Sequence, residues 1–239
     1  MRKKSIKLKV SIIINILLIL ILSLTFFKTN MFSSIVSHVL PVAPVYNEDS
    51  YYIERTTLFN EIEIPKHSII FIGDSLTFRN EWQEFFRDKI IVNSGIGSDT
   101  IEGVYNRLDP IIESSPKKIF LMIGINDLIL NKDMDKIAEE YSNLLNKIKV
   151  ELPETEVFVE SILPVNNEKN GNIVDNKKIK KLNLIISSLA TTYEYKFLNI
   201  YSVLSNNNQL ISEFTEDGIH LKGEGYKIWV DFIQNKVRY

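Results

Sequence analysis

Five short apolar segments, rich in β-branched residues, alternate with stretches of helical periodicity between residues 68 and 200. Segments of this kind favour β-strands, and connections long enough to hold a helix favour parallel pairing of those strands. A parallel sheet is buried on both faces, so it needs a layer of helices on each side. The pattern therefore predicts a three-layer α/β/α sandwich with a five-stranded parallel sheet, whose strands occupy residues 68–72, 90–93, 118–123, 156–161 and 196–200.

The connecting stretches carry apolar residues at the spacing of amphipathic helices. The clearest stripe runs from Met134 to Ile148, with Asp133 as the expected N-cap, and a second runs from Ile179 to Tyr193. Further helices are predicted at residues 50–63, 100–113 and 225–237. The first of these three is expected to be amphipathic and to pack on the domain.

The longest apolar run lies near the N-terminus, at residues 10–27, and contains no charged residue. Its length approaches the roughly 20 residues that a helix needs to cross a bilayer. Cations are concentrated before this run, so the positive-inside rule predicts that residues 1–9 form a cytoplasmic basic tail. We therefore predict a single-pass transmembrane signal-anchor that holds the protein in the cell membrane, with the remainder of the chain outside the cell.

The anchor is followed by residues 28–50, where Pro41 and Pro44 disfavour helix and favour an extended chain. This segment is predicted to be an extracellular stalk, and residues 51–239 are predicted to be the folded extracellular domain. A cleaved signal peptide that releases a secreted domain is the alternative. The small residues of a usual cleavage site are absent, which favours the uncleaved anchor.

Composition excludes several classes of function. The net charge of −2 leaves no basic surplus for a nucleic-acid backbone, and the lack of cysteine excludes disulfides, thiol nucleophiles and thiolate metal sites. His38 and His67 fit ordinary linker and surface positions, and no His-Glu-x-x-His or comparable ligand spacing occurs. The sequence therefore predicts no metal and no other cofactor.

The first predicted strand leads directly into Gly73-Asp74-Ser75-Leu76, at the edge where parallel sheets bind their ligands. A serine on such a turn can act as a nucleophile. An ordinary turn is the alternative, since glycine, aspartate and serine are all common turn residues. The elbow of α/β-hydrolases is disfavoured, because Thr77 occupies the position of its second glycine.

Two more polar segments follow strand ends. The second strand runs into Asn93-Ser94-Gly95-Ile96-Gly97-Ser98-Asp99-Thr100, whose backbone N–H groups can bind an oxyanion or a phosphate. A dinucleotide loop is disfavoured there, because it would need a third glycine at Thr100. The third strand ends in Gly124-Ile125-Asn126-Asp127, where Asn126 can donate hydrogen bonds to developing negative charge or, alternatively, cap the loop.

Near the C-terminus, Asp217-Gly218-Ile219-His220 places a carboxylate three residues before a histidine. On a turn, the carboxylate can bind the Nδ1–H of the imidazole while Nε2 faces a hydroxyl group. That arrangement makes the histidine a general base. The partner distinguishes His220 from the other two histidines of the chain.

Together, the four segments resemble the SGNH hydrolase family, also called GDSL esterases. The blocks of that family are Gly-Asp-Ser, a glycine turn, Gly-x-Asn-Asp and Asp-x-x-His, and all four occur here in family order over about residues 66–232. The resemblance implies a flavodoxin-like α/β/α fold and serine-dependent ester hydrolysis. It implies Ser75 as nucleophile, His220 as base and Asp217 as the acid that orients the base.

The resemblance also implies an oxyanion hole, with Asn126 as one donor and a backbone N–H of the glycine turn as the other. Members of the family usually have Ser-Gly-Asp-Thr where this chain has Gly97-Ser98-Asp99-Thr100, so the glycine is displaced by one position. Ser98 can still serve if its backbone angles are allowed for a residue other than glycine, and Gly97 is the fallback. The same blocks contribute the supporting residues Asp74, Gly124 and Asp127.

The family includes carbohydrate O-acetylesterases, lysophospholipases, thioesterases and a few acetyltransferases. An extracellular tethered domain is expected to meet the cell envelope, which favours an O-acetylated glycan or another small acyl ester as substrate. The polar segment 166–178 either borders the substrate pocket or forms a solvated loop. A catalytically inactive glycan-binding module is the alternative from another class, and the intact serine, asparagine, aspartate and histidine argue against it.

Overall fold

The computed structural model describes residues 50–238, in which the five predicted strands form one parallel sheet. The strands are β1 (Ile69–Gly73), β2 (Ile91–Gly95), β3 (Lys118–Met122), β4 (Glu156–Glu160) and β5 (Lys196–Leu198). Their order is β2-β1-β3-β4-β5, with all neighbours parallel. The prediction of an α/β fold with a five-stranded parallel sheet is confirmed. A two-stranded hairpin, β6 (Ser205–Asn206) and β7 (Gln209–Leu210), lies outside the sheet.

Helices connect the strands and continue to the C-terminal end of the described chain. They are α1 (Ser50–Glu61), α2 (Ser75–Phe78), α3 (Trp82–Phe85), α4 (Ile101–Asn106), α5 (Asp109–Ser114), α6 (Ile125–Ile129), α7 (Met134–Glu151), α8 (Asn167–Asn170), α9 (Asn176–Thr192), α10 (Tyr201–Leu204) and α11 (Gly223–Arg238).

The sheet separates two apolar cores, because successive side chains of a strand point to opposite faces. On one face, Ile70 and Ile72 pack with the buried residues of α4, α5, α7 and α9. On the other face, Ile69 and Phe71 pack with those of α2, α3, α10 and α11. The three layers that the sequence predicts are therefore present, and the carboxyl edge of the sheet remains open to loops.

Most predicted helices are present. Helix α7 begins after Asp133, whose side chain accepts hydrogen bonds from the N–H groups of Asp135 and Lys136 and caps the helix as expected. The single helix predicted over residues 100–113 is wrong, because the chain forms α4 and α5 with a break at Arg107 and Leu108. Pro110 explains the break. It has no N–H and its ring excludes the carbonyl four residues earlier, whereas it is tolerated in the first turn of a new helix.

Helix α1 forms where it is predicted, but it buries none of its residues. Its half-buried side chains, Tyr51, Tyr52, Arg55, Thr56 and Phe59, share one face, whereas apolar side chains such as that of Ile53 are exposed. The helix therefore packs on the domain as expected, through a half-buried face and without a buried apolar residue. The contacts of α1 are made instead by aromatic rings and a guanidinium group.

The membrane predictions concern residues that the structure does not describe. The apolar run at residues 10–27 and the stalk at residues 28–50 precede Ser50 or end at it. Within residues 50–238, none of the helices combines the length and the hydropathy that a bilayer span requires. The anchor and the stalk stay predictions.

Candidate active site

Ser75 is the first residue of α2, and only Asp74 separates it from the end of β1. Asp74 caps this short helix, because its Oδ1 accepts a hydrogen bond of 2.9 Å from the N–H of Leu76. The C-terminal helix holds the turn from the other side, where the hydroxyl of Tyr226 donates to the carbonyl of Leu76 at 2.8 Å. The turn is therefore fixed by two buried hydrogen bonds, and Ser75 itself stays partly exposed.

The structure brings Ser75, His220 and Asp217 together in one hydrogen-bonded chain. The Oγ of Ser75 lies 2.9 Å from Nε2 of His220, and Nδ1 of His220 lies 2.6 Å from Oδ2 of Asp217. The other carboxylate oxygen of Asp217 accepts from the backbone N–H groups of Ile219 and His220, at 2.9 and 2.8 Å. Both oxygens of the carboxylate are thus used to fix the turn and the imidazole ring.

Asp217 is ionised under all ordinary conditions. Partial burial opposes ionisation, but the hydrogen bonds from the His220 ring and from two backbone N–H groups outweigh it and lower the pKa of Asp217 to about 2. Because this pKa is depressed, the ionised Asp217 stabilises the folded protein fully at pH values above the ordinary aspartate pKa of 3.8. This stabilisation is lost only as the pH falls through 2. A charged Asp217 is therefore available to stabilise a protonated His220 at neutral pH.

Residues 96–100, which we call the glycine loop, connect β2 to α4 beside Ser75. The N–H of Ile96 donates to the carbonyl of Gly73, that of Asp99 to the carbonyl of Ile96, and that of Thr100 to Oδ1 of Asp99. Within residues 50–238, the N–H groups of Gly97 and Ser98 form no hydrogen bond. Two adjacent backbone donors therefore remain available at this loop.

Ser98 adopts a φ of 61°, which lies in the left-handed region. Only a few per cent of residues other than glycine do so, because the Cβ then crowds the following carbonyl. This conformation explains why the family that the sequence resembles usually has glycine at the equivalent position, because glycine has no Cβ. Serine adopts it here at a cost of about 1 kcal/mol.

Asn126 lies in the first turn of α6, one turn after β3. Gly124, two positions earlier, has a φ of 126°, a backbone conformation that residues other than glycine rarely adopt. The Nδ2 of Asn126 donates to the carbonyl of Asp99 at 2.8 Å, which orients the amide and joins α6 to the glycine loop. An amide nitrogen carries two hydrogens, so a second donor position of Asn126 remains for a ligand.

A buried arginine joins three segments of the site. The Nε of Arg107 lies 2.8 Å from Oδ2 of Asp99, and the rest of the guanidinium donates to the hydroxyl and carbonyl of Ser94 and to the carbonyl of Gly73. The end of β1, the end of β2 and the glycine loop are therefore tied to one side chain. Burial raises the pKa of Asp99, and the charge of Arg107 opposes that rise.

The supporting residue Asp127 is buried behind Asn126. Its Oδ2 accepts from the N–H of Ile101 at 3.2 Å, and its Oδ1 lies 2.9 Å from Nζ of Lys132. Burial raises the pKa of Asp127, and Lys132 opposes this shift. Burial, with repulsion from Asp99 and Asp127, likewise raises the pKa of Asp74 to about 7. The carboxyl groups of Asp74, Asp99 and Asp127 hold the loops together. None of the hydrogen bonds described above joins them to Ser75 Oγ.

Two sets of contacts at the site are not predictable from the sequence. Arg107 follows Asp99 by eight residues, and nothing in the pattern pairs the two. The polar segment 166–178 contains α8 and braces the turn of Asp217, because Asn166 donates its N–H to the carbonyl of Gly218 at 2.7 Å and Lys169 donates to the carbonyl of Thr215 at 2.7 Å. The sequence leaves open whether this segment borders the substrate pocket or forms a solvated loop, and its contact with the Asp217 turn becomes evident only in three dimensions.

Metal ligation has no site in the described part of the chain. Between residues 50 and 238, no three histidine or acidic side chains are grouped so that they could hold a metal ion. His67 is exposed and precedes β1, at the edge of the sheet opposite Ser75, as expected for an ordinary surface residue.

Comparison with known proteins identifies the family of the chain. The sequence profile of the GDSL-like Lipase/Acylhydrolase family matches residues 71–228, which is well over half of the chain. An N-acylneuraminate cytidylyltransferase from Streptococcus agalactiae serotype V is 24% identical over 202 residues, which cover 79% of this chain. The chain spans only 44% of the length of that relative.

Solved structures share the fold. A candidate platelet activating factor from Streptococcus pneumonia is similar with a TM-score of 0.72 and 28% identity, over 78% of this chain and 92% of the other. An acetyl xylan esterase is similar in fold with a TM-score of 0.61 and 23% identity, over 71% of this chain and 99% of the other. The match therefore extends over nearly the whole of each of these proteins.

Proposed function

The chain belongs to the GDSL-like lipase and acylhydrolase family and is a serine ester hydrolase, and on this premise we propose that it removes O-acetyl groups from a cell-envelope glycan. Ser75 is the proposed nucleophile, His220 the general base and Asp217 the acid that orients the base. The observation that carries these roles is the hydrogen-bonded chain from Ser75 Oγ through the His220 ring to Asp217.

Acylation begins when Ser75 Oγ attacks the ester carbonyl and His220 Nε2 takes the hydroxyl proton. The distance of 2.9 Å between the two atoms suits direct proton transfer. The imidazolium that forms is stabilised by the Asp217 carboxylate, 2.6 Å from Nδ1. His220 then returns the proton to the leaving alcohol, and the acyl group remains on Ser75.

Deacylation repeats the sequence with water as the nucleophile. His220 takes a proton from water, the hydroxide attacks the acyl-enzyme carbonyl, and Ser75 leaves with the proton from His220. Acetate and free enzyme are the products. No step needs a metal ion.

The oxyanion of each tetrahedral intermediate is proposed to bind Asn126 Nδ2 and the backbone N–H of Ser98, with Gly97 as the fallback donor. Support comes from the free N–H groups of the glycine loop and from the second hydrogen of the Asn126 amide. The N–H of Ser75 also has no partner within residues 50–238 and can act as a third donor. Such donors stabilise charge that develops only in the transition state.

The choice of an acetylated carbohydrate rests on two kinds of support. One similar protein is named an acetyl xylan esterase, and the name of a relative refers to an N-acylneuraminate, a sugar whose N-acyl group is an amide and not an ester. The predicted extracellular location adds a reason, because envelope glycans are the esters that such a domain meets. Cytidylyl transfer is not carried over, since the chain spans less than half of that relative.

The test is product analysis with the purified protein. We expect release of acetate from acetylated xylo-oligosaccharides and from isolated O-acetylated cell-wall polymer, with p-nitrophenyl acetate as a general reporter. Lysophospholipid and p-nitrophenyl octanoate serve as matched lipid-type substrates, and a sugar acceptor tests acyl transfer. Turnover of the long-chain esters without acetate release from either glycan would contradict the substrate proposal and leave a lipid hydrolase.

We also propose that the hydrolase is tethered to the membrane by residues 10–27, with its domain outside the cell. The support is the uncharged apolar run and the cations that precede it. The full-length protein is expected to stay with membranes after salt and alkaline washing, because an apolar helix is not held by charge. Recovery from the medium, with a new N-terminus near residue 28, would identify a cleaved signal peptide instead.

A further inference from the structure

Helix α1 contacts the active-site loops, although it precedes the residues that match the family profile. The hydroxyl of Tyr52 donates to the carbonyl of Gly103 in α4 at 2.9 Å. The guanidinium of Arg55 lies 5.4 Å from the ring centroid of Phe78, in the helix that begins at Ser75. The ring of Phe59 lies 5.8 Å from the guanidinium of Arg107, which binds Asp99 of the glycine loop. One face of α1 therefore touches the segments that carry the proposed nucleophile and the proposed backbone donor.

The most direct of these contacts joins Tyr51 to the glycine loop. A Cβ placed on Gly97 would lie 3.4 Å from Cε1 of the Tyr51 ring, which is a van der Waals distance. Apart from the chain neighbours of Gly97, no other atom of residues 50–238 lies within 4 Å of that position. Among the described residues, the Tyr51 ring is thus the side chain that lies beside Gly97, one residue before Ser98.

The loop needs such support because Ser98 is strained. Its φ of 61° lies in the left-handed region, which is unfavourable for serine, and strained residues persist only where the surrounding structure holds them. Toward the sheet, the loop is held by the ion pair of Asp99 with Arg107 and by the hydrogen bond from Asn126 to Asp99. On the side of α1, the Tyr51 ring lies next to Gly97, 3.4 Å from the position that a Cβ would occupy.

We propose that Tyr51 is a positioning residue for the Ser98 N–H, so that α1 is a working part of the active site. The inference rests on the proposed function, because it takes the Ser98 N–H as an oxyanion donor. Positioning of that donor affects the transition state and leaves the binding of the uncharged ester unchanged. Its loss should therefore lower kcat without changing KM.

The first experiment compares Tyr51→Ala, Tyr51→Phe and Ile53→Ala in the full-length chain, with p-nitrophenyl acetate as substrate. Tyr51→Ala is expected to lower kcat by roughly tenfold at constant KM, since removal of a whole donor costs roughly a hundredfold to a thousandfold. Tyr51→Phe keeps the ring and should restore kcat. Ile53→Ala, on the exposed face of the same helix, is the matched control and should match the wild type. Melting temperatures should be similar, because α1 has no buried residue.

The second experiment repeats Tyr51→Ala in a Ser98→Gly background. Glycine takes a positive φ without strain, so the loop depends less on Tyr51 and the loss in kcat should shrink. Equal losses in both backgrounds, a change in KM alone, or an unchanged kcat in Tyr51→Ala would each overturn the inference.

Failure of the proposed function is distinguishable from failure of this inference. A fluorophosphonate probe should label wild-type Ser75 and should not label Ser75→Ala. A wild-type protein that neither turns over esters nor reacts with the probe would refute the proposed function. An active, labelled wild type that Tyr51→Ala equals in kcat would refute only the role of Tyr51.

Discussion

Replacing Ser75 with alanine is expected to lower esterase turnover by several orders of magnitude, roughly a millionfold in a comparable triad enzyme, while the protein stays folded. The substitution removes the hydroxyl oxygen that lies 2.9 Å from His220 Nε2. The contacts that build the turn are made by Asp74, Leu76 and Tyr226, so they remain in the variant. Turnover of p-nitrophenyl acetate and a circular dichroism spectrum are the measurements.

His220→Ala serves as the partner variant, because the residues of a triad act as one unit and their losses do not add. It should be as inactive as Ser75→Ala, and the double variant no worse than either. Asp217→Asn should keep more activity, with a loss of roughly 10⁴-fold, since the side chain retains its place but no longer fixes the imidazole tautomer as a carboxylate does. Near-normal turnover in Ser75→Ala, or equal turnover in all three variants, would rule out these roles.

Strands β1 and β3 were predictable because their residues are buried from end to end, and continuous apolar runs are typical of a sheet covered on both faces. The end of β2 was less predictable. Ser94 and Gly95 extend this strand beyond its apolar run, because they pair with Ile72 and Gly73 of β1. Such a pairing partner lies far away in the sequence, so local composition does not reveal it.

The sequence revealed those residues of the candidate site that combine a reactive or hydrogen-bonding side chain with a position in a recognisable motif. Ser75, Asn126 and His220 each lie in a short motif at a strand end or before the last helix. Arg107 and Tyr51 belong to no motif. Arg107 directly follows α4, and its importance depends on the carbonyls of Gly73 and Ser94 and the carboxylate of Asp99, which three separate segments bring together. Tyr51 acts across a gap of 46 positions in the chain, on a glycine whose neighbour is strained.

Asn126→Ala is expected to slow turnover by roughly a hundredfold or more, the usual consequence of removing one positioned oxyanion donor. KM should change little, because the donor acts on charge that the substrate does not yet carry. The substitution also removes the hydrogen bond to the Asp99 carbonyl, so the melting temperature is measured beside kcat. An Asn126→Ala protein with wild-type kcat would exclude this amide from the oxyanion hole.

At the second donor, the backbone and not the side chain is expected to matter. Ser98→Gly keeps the N–H and relieves the strain of a φ of 61°, so it should retain turnover. Ser98→Pro removes the N–H and cannot adopt that φ, so it should lose turnover by a factor similar to that for Asn126→Ala. Loss of turnover in Ser98→Gly would show that the hydroxyl has a role of its own.

A crystal structure of Ser75 with a bound phosphonate would locate the donors directly, because the phosphonyl oxygen occupies the position of the oxyanion. That oxygen should lie about 3 Å from Asn126 Nδ2 and about 3 Å from the backbone nitrogen of Ser98. If the nitrogen of Gly97 lies at that distance instead, the second donor of this chain is Gly97, one position before the residue that the family uses. If neither nitrogen of the glycine loop approaches the oxygen, the two-donor mechanism fails, and the strain at Ser98 needs another explanation than catalysis.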